Sequence, residues 1–437
     1  MKHKIIASII VCFLLVPFVA AQETQPIQRI AAEIEGELER DLNGWYPACV
    51  DSDRGGFHTN IGRDWKPGSY QTKGIVSQAR MTWTAAEVAR RMPKWKEKLE
   101  PISRHGVTFL RETMWDHKCG GFYWEINANG ITPSDNDTMK HAYGQSFGIY
   151  ALVAAYRLSG DENDLNLAKE AFYWLDRNGH DAKHGGYVEA FYRDGRQMLE
   201  PTKSEPNIKN GKVGEILGTK SMNTHIHLLE SFTVLYHVWP DPLLRSRLEE
   251  LVHIVRDKIT TWPGAMRMFF NYDWTAAATY VSFGHDIETA FLLLEAVESL
   301  GRKDDPQTLT ICKSLVEHSL EFGWDTANGG FFYEGATFGH PVNRSKSWWT
   351  QAEGLNTLCL SYLKAEGANR ERFAKRFAEQ WRFIANHLID KENGGWFNET
   401  DDDGSNLRGM DKGNLWKTPY HEVRAMLNVV EMLKAAN

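Results

Sequence analysis

Asp116-His117-Lys118-Cys119-Gly120-Gly121-Phe122-Tyr123-Trp124-Glu125 is one of five copies of the same device, an Asp followed by Gly-Gly and then an aromatic residue. The others are Asp51 with Gly55-Gly56, Asp181 with Gly185-Gly186, Asp325 with Gly329-Gly330 and Asp390 with Gly394-Gly395. The steps from Gly56 to Gly121, Gly121 to Gly186 and Gly330 to Gly395 are each 65 residues, and the step from Gly186 to Gly330 is 144. The long step leaves room for one degenerate copy, placed around Trp262-Pro263-Gly264. Six units, each with a tight turn and two helical stretches, describe a ring of helical hairpins, because a single hairpin cannot bury its apolar face. The glycines supply positive φ, and the aromatics after them suit short β-hairpins. They shape turns and carry no chemistry.

Apolar residues fall at helical spacing in 79–90, 144–158, 227–237, 287–300, 352–363 and 423–433. These segments are richer in Ala, Leu and aromatics, and poorer in charge, than their partners 31–41, 243–258 and 370–388. A helix apolar on nearly all sides is buried and one with a charged face lies outside. The first set therefore forms an inner barrel and the second an outer layer, an all-α fold.

The 437 residues are 42% hydrophobic and 24% charged, enough to build a core without staples. No Pro/Ser-rich linker separates the copies, so residues 22–437 read as one domain. Met1-Lys2-His3-Lys4, the apolar run Ile5 to Ala20 and the small residues before Gln22 have the form of a signal peptide, residues 1–21. The run is short for a membrane anchor, so the expected chain is exported, periplasmic or secreted, and has no membrane partner after cleavage. The mature cysteines Cys49, Cys119, Cys312 and Cys359 show no zinc spacing and read as free thiols, with a Cys49–Cys119 bridge open. A net charge of -7 with no basic run argues against nucleic acid. No metal or cofactor site is expected, and the chain is read as a monomer.

Polar residues collect where each inner segment begins: Arg80, then His141 and Tyr143, Asn223 and His227, His285 and Glu288, Gln351 and Glu353, and finally His421. Six helix starts around one mouth point these groups at a common cavity, the usual place for a small-molecule site. His285 and Glu288 are three apart and share a helix face, so the carboxylate is expected to orient the imidazole as a general base. In Asn223-Thr224-His225-Ile226-His227 the two histidines diverge by roughly 200° on a helix. They cannot chelate one ion, so His227 is placed in the cavity with Asn223 and His225 is structural. Pro419 suits a first helical turn, with His421 just inside it. Two imidazoles across a pocket can remove a proton from one side of a carbon and return it on the other. The carbon must adjoin a carbonyl, and the resulting enediolate needs a fixed cation, for which Arg80 is the candidate; a buried structural ion pair is the other role open to it. Of sixteen tryptophans, Trp274, Trp348, Trp349 and Trp416 cluster near the mouth and offer flat faces for sugar rings, or serve as core.

At these residues the chain resembles the N-acylglucosamine 2-epimerase superfamily, and within it the cellobiose 2-epimerases. The likeness is carried by Ser77-Gln78-Ala79-Arg80, Lys140 to Gln145, Met222 to Glu230, Gly284 to Glu288, Trp348 to Glu353 and Trp416 to His421, in order along most of the chain. The resemblance implies an (α/α)6 barrel and cofactor-free epimerisation at C2 of the reducing-end sugar of β-1,4-linked disaccharides such as cellobiose or mannobiose. It implies His285 and His421 as the two acid/bases, Glu288 supporting the first and His227 assisting ring opening or binding the sugar. It implies Arg80, Tyr143, Asn223, Trp349 and Trp416 lining the site. Trp274 and Glu353 complete the expected substrate-binding set. The rivals are aldose–ketose isomerisation or N-acylhexosamine 2-epimerisation in the same pocket, a six-hairpin glycoside hydrolase using Glu288 and Glu353, and an inactive sugar-binding module.

Overall fold

The computed structural model describes residues 16–129, 139–200 and 210–436, and these form twelve α-helices. In chain order they are α1 (Val16–Ala48), α2 (Ile75–Arg91), α3 (Lys96–Phe109), α4 (Ala142–Ser159), α5 (Glu162–Gly179) and α6 (Met222–Val238), then α7 (Pro242–His253), α8 (Phe283–Ser299), α9 (Pro306–His318), α10 (Trp348–Lys364), α11 (Gly367–Phe383) and α12 (Tyr420–Ala435). The even-numbered helices pack side by side, α2 on α4, α4 on α6 and so on to α12, which returns to α2. The odd-numbered helices lie outside them. The sequence dictates this sorting: α4 is buried from Ala142 to Ala155 without a break, whereas α11 buries only Phe373, Phe377, Gln380, Trp381 and Phe383, a single stripe. The result is an (α/α)6 barrel whose main core runs from Ile27 to Leu433 as one cluster.

All five Gly-Gly turns close an antiparallel bridge, for example Trp115 with Phe122 and Ile389 with Trp396. The degenerate sixth turn is where the spacing placed it: Thr260–Thr261 pairs with Ala265–Met266 around Trp262-Pro263-Gly264. Gly121 shows why glycine is needed. Its φ is 75°, and a Cβ there would lie 2.8 Å from the Trp174 ring.

What the turn motif does not reveal by itself is its anchor. In each of the five copies the leading Asp binds a buried lysine: Asp51 to Lys73 at 2.6 Å, Asp116 to Lys140 at 3.0 Å, Asp181 to Lys220 at 2.8 Å, Asp325 to Lys346 at 2.7 Å and Asp390 to Lys412 at 2.8 Å. Four of these lysines stand two residues before an inner helix, in a short strand that pairs with the chain beyond the next turn. Lys73–Gly74 pairs with Glu125–Ile126, Lys140–His141 with Ala190–Phe191, and Lys220–Ser221 with Phe269–Phe270. The bridge between Ile61 and Gly413 closes the ring. These pairings carry the chain into every inner helix from the same side.

All four described cysteines are free, so the Cys49–Cys119 bridge is not formed. The apolar run read as a signal peptide lies outside the described residues up to Leu15. Among those described, no helix is long and apolar enough to cross a membrane.

Candidate active site

The first two turns of the inner helices face one cavity of about 480 Å³, which receives Arg80 from α2, Tyr143 from α4, Asn223 and His227 from α6, His285 and Glu288 from α8, Trp348 and Trp349 from α10, and His421 from α12. Trp416, on the approach to α12, stands at the rim. Six helix N-termini aim their positive ends at this space, which favours negative charge within it.

Arg80 reaches the cavity with its guanidinium stacked 4.5 Å from the Phe147 ring and 5.0 Å from that of Tyr420. It donates to the Tyr143 hydroxyl at 3.2 Å and the Trp416 carbonyl at 3.1 Å. Among the described residues no carboxylate lies within 4 Å of it, so the structural ion pair open to it from sequence is absent. Trp349 packs against two of the cavity histidines, its ring 4.6 Å from His285 and 5.9 Å from His421.

Beneath the histidines lies a buried ionic layer. Arg424 Nη2 donates to Glu288 at 2.5 Å and to Glu353 at 2.8 Å, and Nη1 donates to Glu230. Glu230 in turn holds His227 Nδ1 at 2.8 Å and the Tyr420 hydroxyl at 2.9 Å, while Glu353 holds His421 Nδ1 at 2.6 Å. Arg424 and Glu230 also line a second cavity, at the other ends of the inner helices. The layer thus floors the first cavity.

This geometry corrects two expectations about carboxylates. Glu288 shares a face with His285 but turns to Arg424; the His285 ring is set instead by the Ser282 hydroxyl, 2.8 Å from Nδ1. Glu353 is not a wall of the cavity but is fully buried behind His421. Trp274 is likewise elsewhere: at φ 68° in a tight turn, it packs 4.8 Å from His225 and donates to the His184 carbonyl at 3.0 Å, covering the Gly185-Gly186 turn. Its place in sequence, just before α8, suggested the mouth, but the turn swings it onto the preceding repeat. Gln351 is a clamp, exchanging two 2.8 Å hydrogen bonds with the Phe331 backbone, as Gln145 does with Phe122. His225 plays that part in α6, with Nε2 accepting from Tyr187 N at 3.0 Å.

Arg424, Glu230 and Tyr420 escaped the sequence reading. The signal was present, since Glu230 follows His227, and Arg424 follows His421, by three residues on the same helix face. The imidazole–carboxylate rule applied to α8 holds in α6.

Burial and the neighbouring charged groups set the protonation states. Burial, then the charges of His227 and Arg80, hold His285 down to about 3, and burial with the cations Arg80 and Arg424 holds His421 well below the usual imidazole range. Both imidazoles are therefore neutral at pH 7 and able to accept a proton. Burial would raise Glu230, but Arg424 and then His227 hold it down to about 2. Glu353 is pushed up to about 7 by burial against the pull of Arg424, and Glu288 to about 7 by burial and the neighbouring Glu353. Glu288, Glu353 and His421 converge closely enough to hold a cation, but the Arg424 guanidinium already fills that role.

The profile of the N-acylglucosamine 2-epimerase (GlcNAc 2-epimerase) family matches residues 55–425. The chain belongs to that family. With it, the protein joins the enzymes that isomerise sugars. It is 31% identical to the cellobiose 2-epimerase of Bacteroides fragilis over 406 residues, 91% of this chain and 98% of the relative. A solved structure of cellobiose 2-epimerase from Spirochaeta thermophila superposes with a TM-score of 0.79 at 32% identity, covering 97% of this chain and 99% of that one. The D-mannose isomerase of Marinomonas mediterranea is 23% identical over 92% of this chain and 97% of its own.

Proposed function

We propose that the cavity interconverts glucose and mannose at the reducing end of β-1,4-linked disaccharides, cellobiose or mannobiose, by epimerisation at C2. The observation that carries this reading is the pair of neutral imidazoles that both pack against Trp349, beside an arginine with no carboxylate within 4 Å among the described residues. His227, oriented by Glu230, assists opening of the sugar ring. One of the two imidazoles takes the C2 proton, and the cis-enediolate forms against the Arg80 guanidinium and the helix N-termini. Rotation about C2–C3 presents the other face of C2, and the second imidazole returns a proton there.

A neutral histidine is a ready base but needs help to act as an acid. Glu353 supplies it. When its carboxylate is ionised it accepts Nδ1–H of His421 and leaves the Nε2 lone pair free; when protonated it gives its proton to Nδ1 as Nε2 releases its own. One side chain then serves as base in one direction and acid in the other, without the imidazolium that burial disfavours.

The test is turnover of cellobiose and of mannobiose in D2O without added metal, followed by NMR. A C2 epimer carrying deuterium at C2 supports the reading, and turnover without deuterium at C2 sinks it. Aldose–ketose isomerisation is the second reading, favoured by the likeness to a D-mannose isomerase, and it would deliver the label to C1 of a ketose in the same spectra. A retaining or inverting hydrolase needs two carboxyl groups facing across the cleft. Glu288 and Glu353 instead share one guanidinium on one side.

The basic start and apolar run of the chain support export of the enzyme, which N-terminal sequencing of the mature protein checks. A monomer is the expected assembly, read by light scattering.

A further inference from the structure

The cavity has a floor and a rim of different character. Arg80, His227 and His421 at the floor are each no more than 5% exposed, whereas Trp416 at the rim is 40% exposed. Between them one wall is a short segment of backbone, Lys212-Val213-Gly214, that no helix supplies. Lys212 reaches across the rim to Glu125 at 3.3 Å, and the ring of Trp416 lies 6.2 Å from that of Trp124.

This wall is fastened from behind by a buried pair that the mechanism does not use. Glu215, 1% exposed, accepts from Val213 N at 3.0 Å through one oxygen and faces His141 Nε2 at 2.8 Å through the other. Its own carbonyl accepts from Gly211 N at 2.7 Å. His141, wholly buried at the start of α4, accepts from Tyr143 N through Nδ1 at 3.1 Å, so its proton is on Nε2 and is donated to Glu215. Neither side chain lines the cavity. With Glu189 they converge closely enough to resemble a cation site. Glu189 is occupied, however, by the Ser221 hydroxyl at 2.9 Å and that of Thr224 at 2.7 Å, and Glu215 by the Val213 amide and His141. Burying such a pair is costly, and an apolar filling would pack the same space. Its effect is positional: together with Val213 packed on the core and Lys212 bound to Glu125, it ties 211–215 to the barrel.

We propose that Glu215, held by His141, is a positioning residue that fixes Lys212-Val213-Gly214 as the wall of the subsite for the second sugar, and that this wall makes the enzyme prefer a disaccharide to a monosaccharide. The inference rests on the epimerase reading only in taking a sugar as ligand. The histidine floor takes the ring that reacts. A second ring, joined beyond it, must lie at the rim, where the Lys212 ammonium and Glu125 offer hydrogen bonds to hydroxyls and Trp416 offers an apolar face.

The experiment compares wild type with Glu215→Gln, which keeps shape and removes the charge, and with Lys212→Ala, which leaves the buried pair intact. The readout is the ratio of kcat/KM for cellobiose to that for D-mannose, with cellobiose and D-mannose affinities measured in parallel by calorimetry. Each variant is expected to lower the ratio about tenfold, mostly through KM for cellobiose, and to weaken cellobiose binding by a similar factor. The double variant should be little worse than either single, since both act through one wall. Equal losses on the two sugars, or an unchanged ratio in Lys212→Ala, would overturn the proposal; the second arm stands even if Glu215→Gln folds poorly. A wild-type protein that binds cellobiose without epimerising it removes the epimerase reading and leaves the binding ratio to decide. One that binds cellobiose no better than D-mannose removes the inference itself.

Discussion

Replacing Glu353 by Gln isolates the proton carrier from the rest of the site. The side chain keeps its shape and still bonds His421 Nδ1, but it can neither accept charge nor release a proton. The 2.6 Å contact is a short one, and a hydrogen bond to a charged group contributes ~1.5–3 kcal/mol, roughly 10- to 150-fold in rate at ~1.4 kcal/mol per decade. A mis-set histidine tautomer adds to this; in a serine-protease triad the matching Asp to Asn change costs ~10,000-fold. We expect kcat to fall between about 100- and about 10,000-fold. Both directions must fall together in kcat/KM, because the equilibrium between the two sugars is not the enzyme's to change. Folding should be nearly unaffected, since burial already favours the uncharged carboxyl; the expected Tm change is under about 3 °C. The assay is deuterium wash-in at C2 by NMR from each epimer, with thermal denaturation alongside. A folded Glu353→Gln enzyme with kcat within threefold of wild type would refute the proton-carrier role.

Arg80→Ala should lower kcat by about 100- to 1,000-fold, the usual cost of losing one donor to a developing oxyanion, yet leave the melting temperature close to wild type because no buried carboxylate loses its partner. Lys73→Met strands the Asp51 carboxylate and the Gly55 carbonyl and should cost about 3–5 kcal/mol in urea denaturation, with a loss of fold rather than a selective loss of chemistry. Dialysis against EDTA should leave turnover unchanged, because Arg424 occupies the position between Glu288, Glu353 and His421 that an ion would need. His225→Gln imports the clamp that Gln145 and Gln351 already use. Burial holds His225 down to about 3, so between pH 6.5 and 3 the unfolded chain binds the extra proton and wild-type stability falls as pH falls. The variant lacks that slope, and its Tm should drop less than that of wild type between pH 7.5 and pH 5.

Much of the barrel was legible because its period is long and its punctuation strict. Gly120 and Gly121 cannot be replaced without driving a Cβ into Trp174, so the turns stand out in sequence, and the all-round apolar character of α4 against the single stripe of α11 sorts inner from outer helices. The cavity lining was legible through helix starts, which is why Arg80, Asn223, His227, His285 and His421 are found together. What sequence could not give was direction along a side chain. Glu288 has the right spacing to serve His285, but Arg424, brought from 136 residues away, outcompetes it. Trp274 has the right neighbourhood, yet its positive φ sends the ring onto another turn. The His141–Glu215 pair spans 74 residues and loop backbone, where no periodicity operates.

The departures from the repeat also carry information. In α2, α4, α6 and α10 a lysine stands two residues ahead of the helix and grips the Asp of the turn. The two remaining inner helices break the rule. Ahead of α8 there is no lysine, its turn has no Gly-Gly, and Asp286 replaces the clamp by accepting from Met266 N at 2.9 Å while facing His318 at 3.2 Å. Ahead of α12 the lysine that grips Asp390 is Lys412, eight residues before the helix, and the chain between makes room for Trp416 and Pro419. These are the helices that carry His285 and His421. A scaffold built from equivalent units presents equivalent groups at every mouth position, whereas a proton removed on one side and returned on the other needs two positions unlike the rest. Local rules are expected to fail where function sets the geometry.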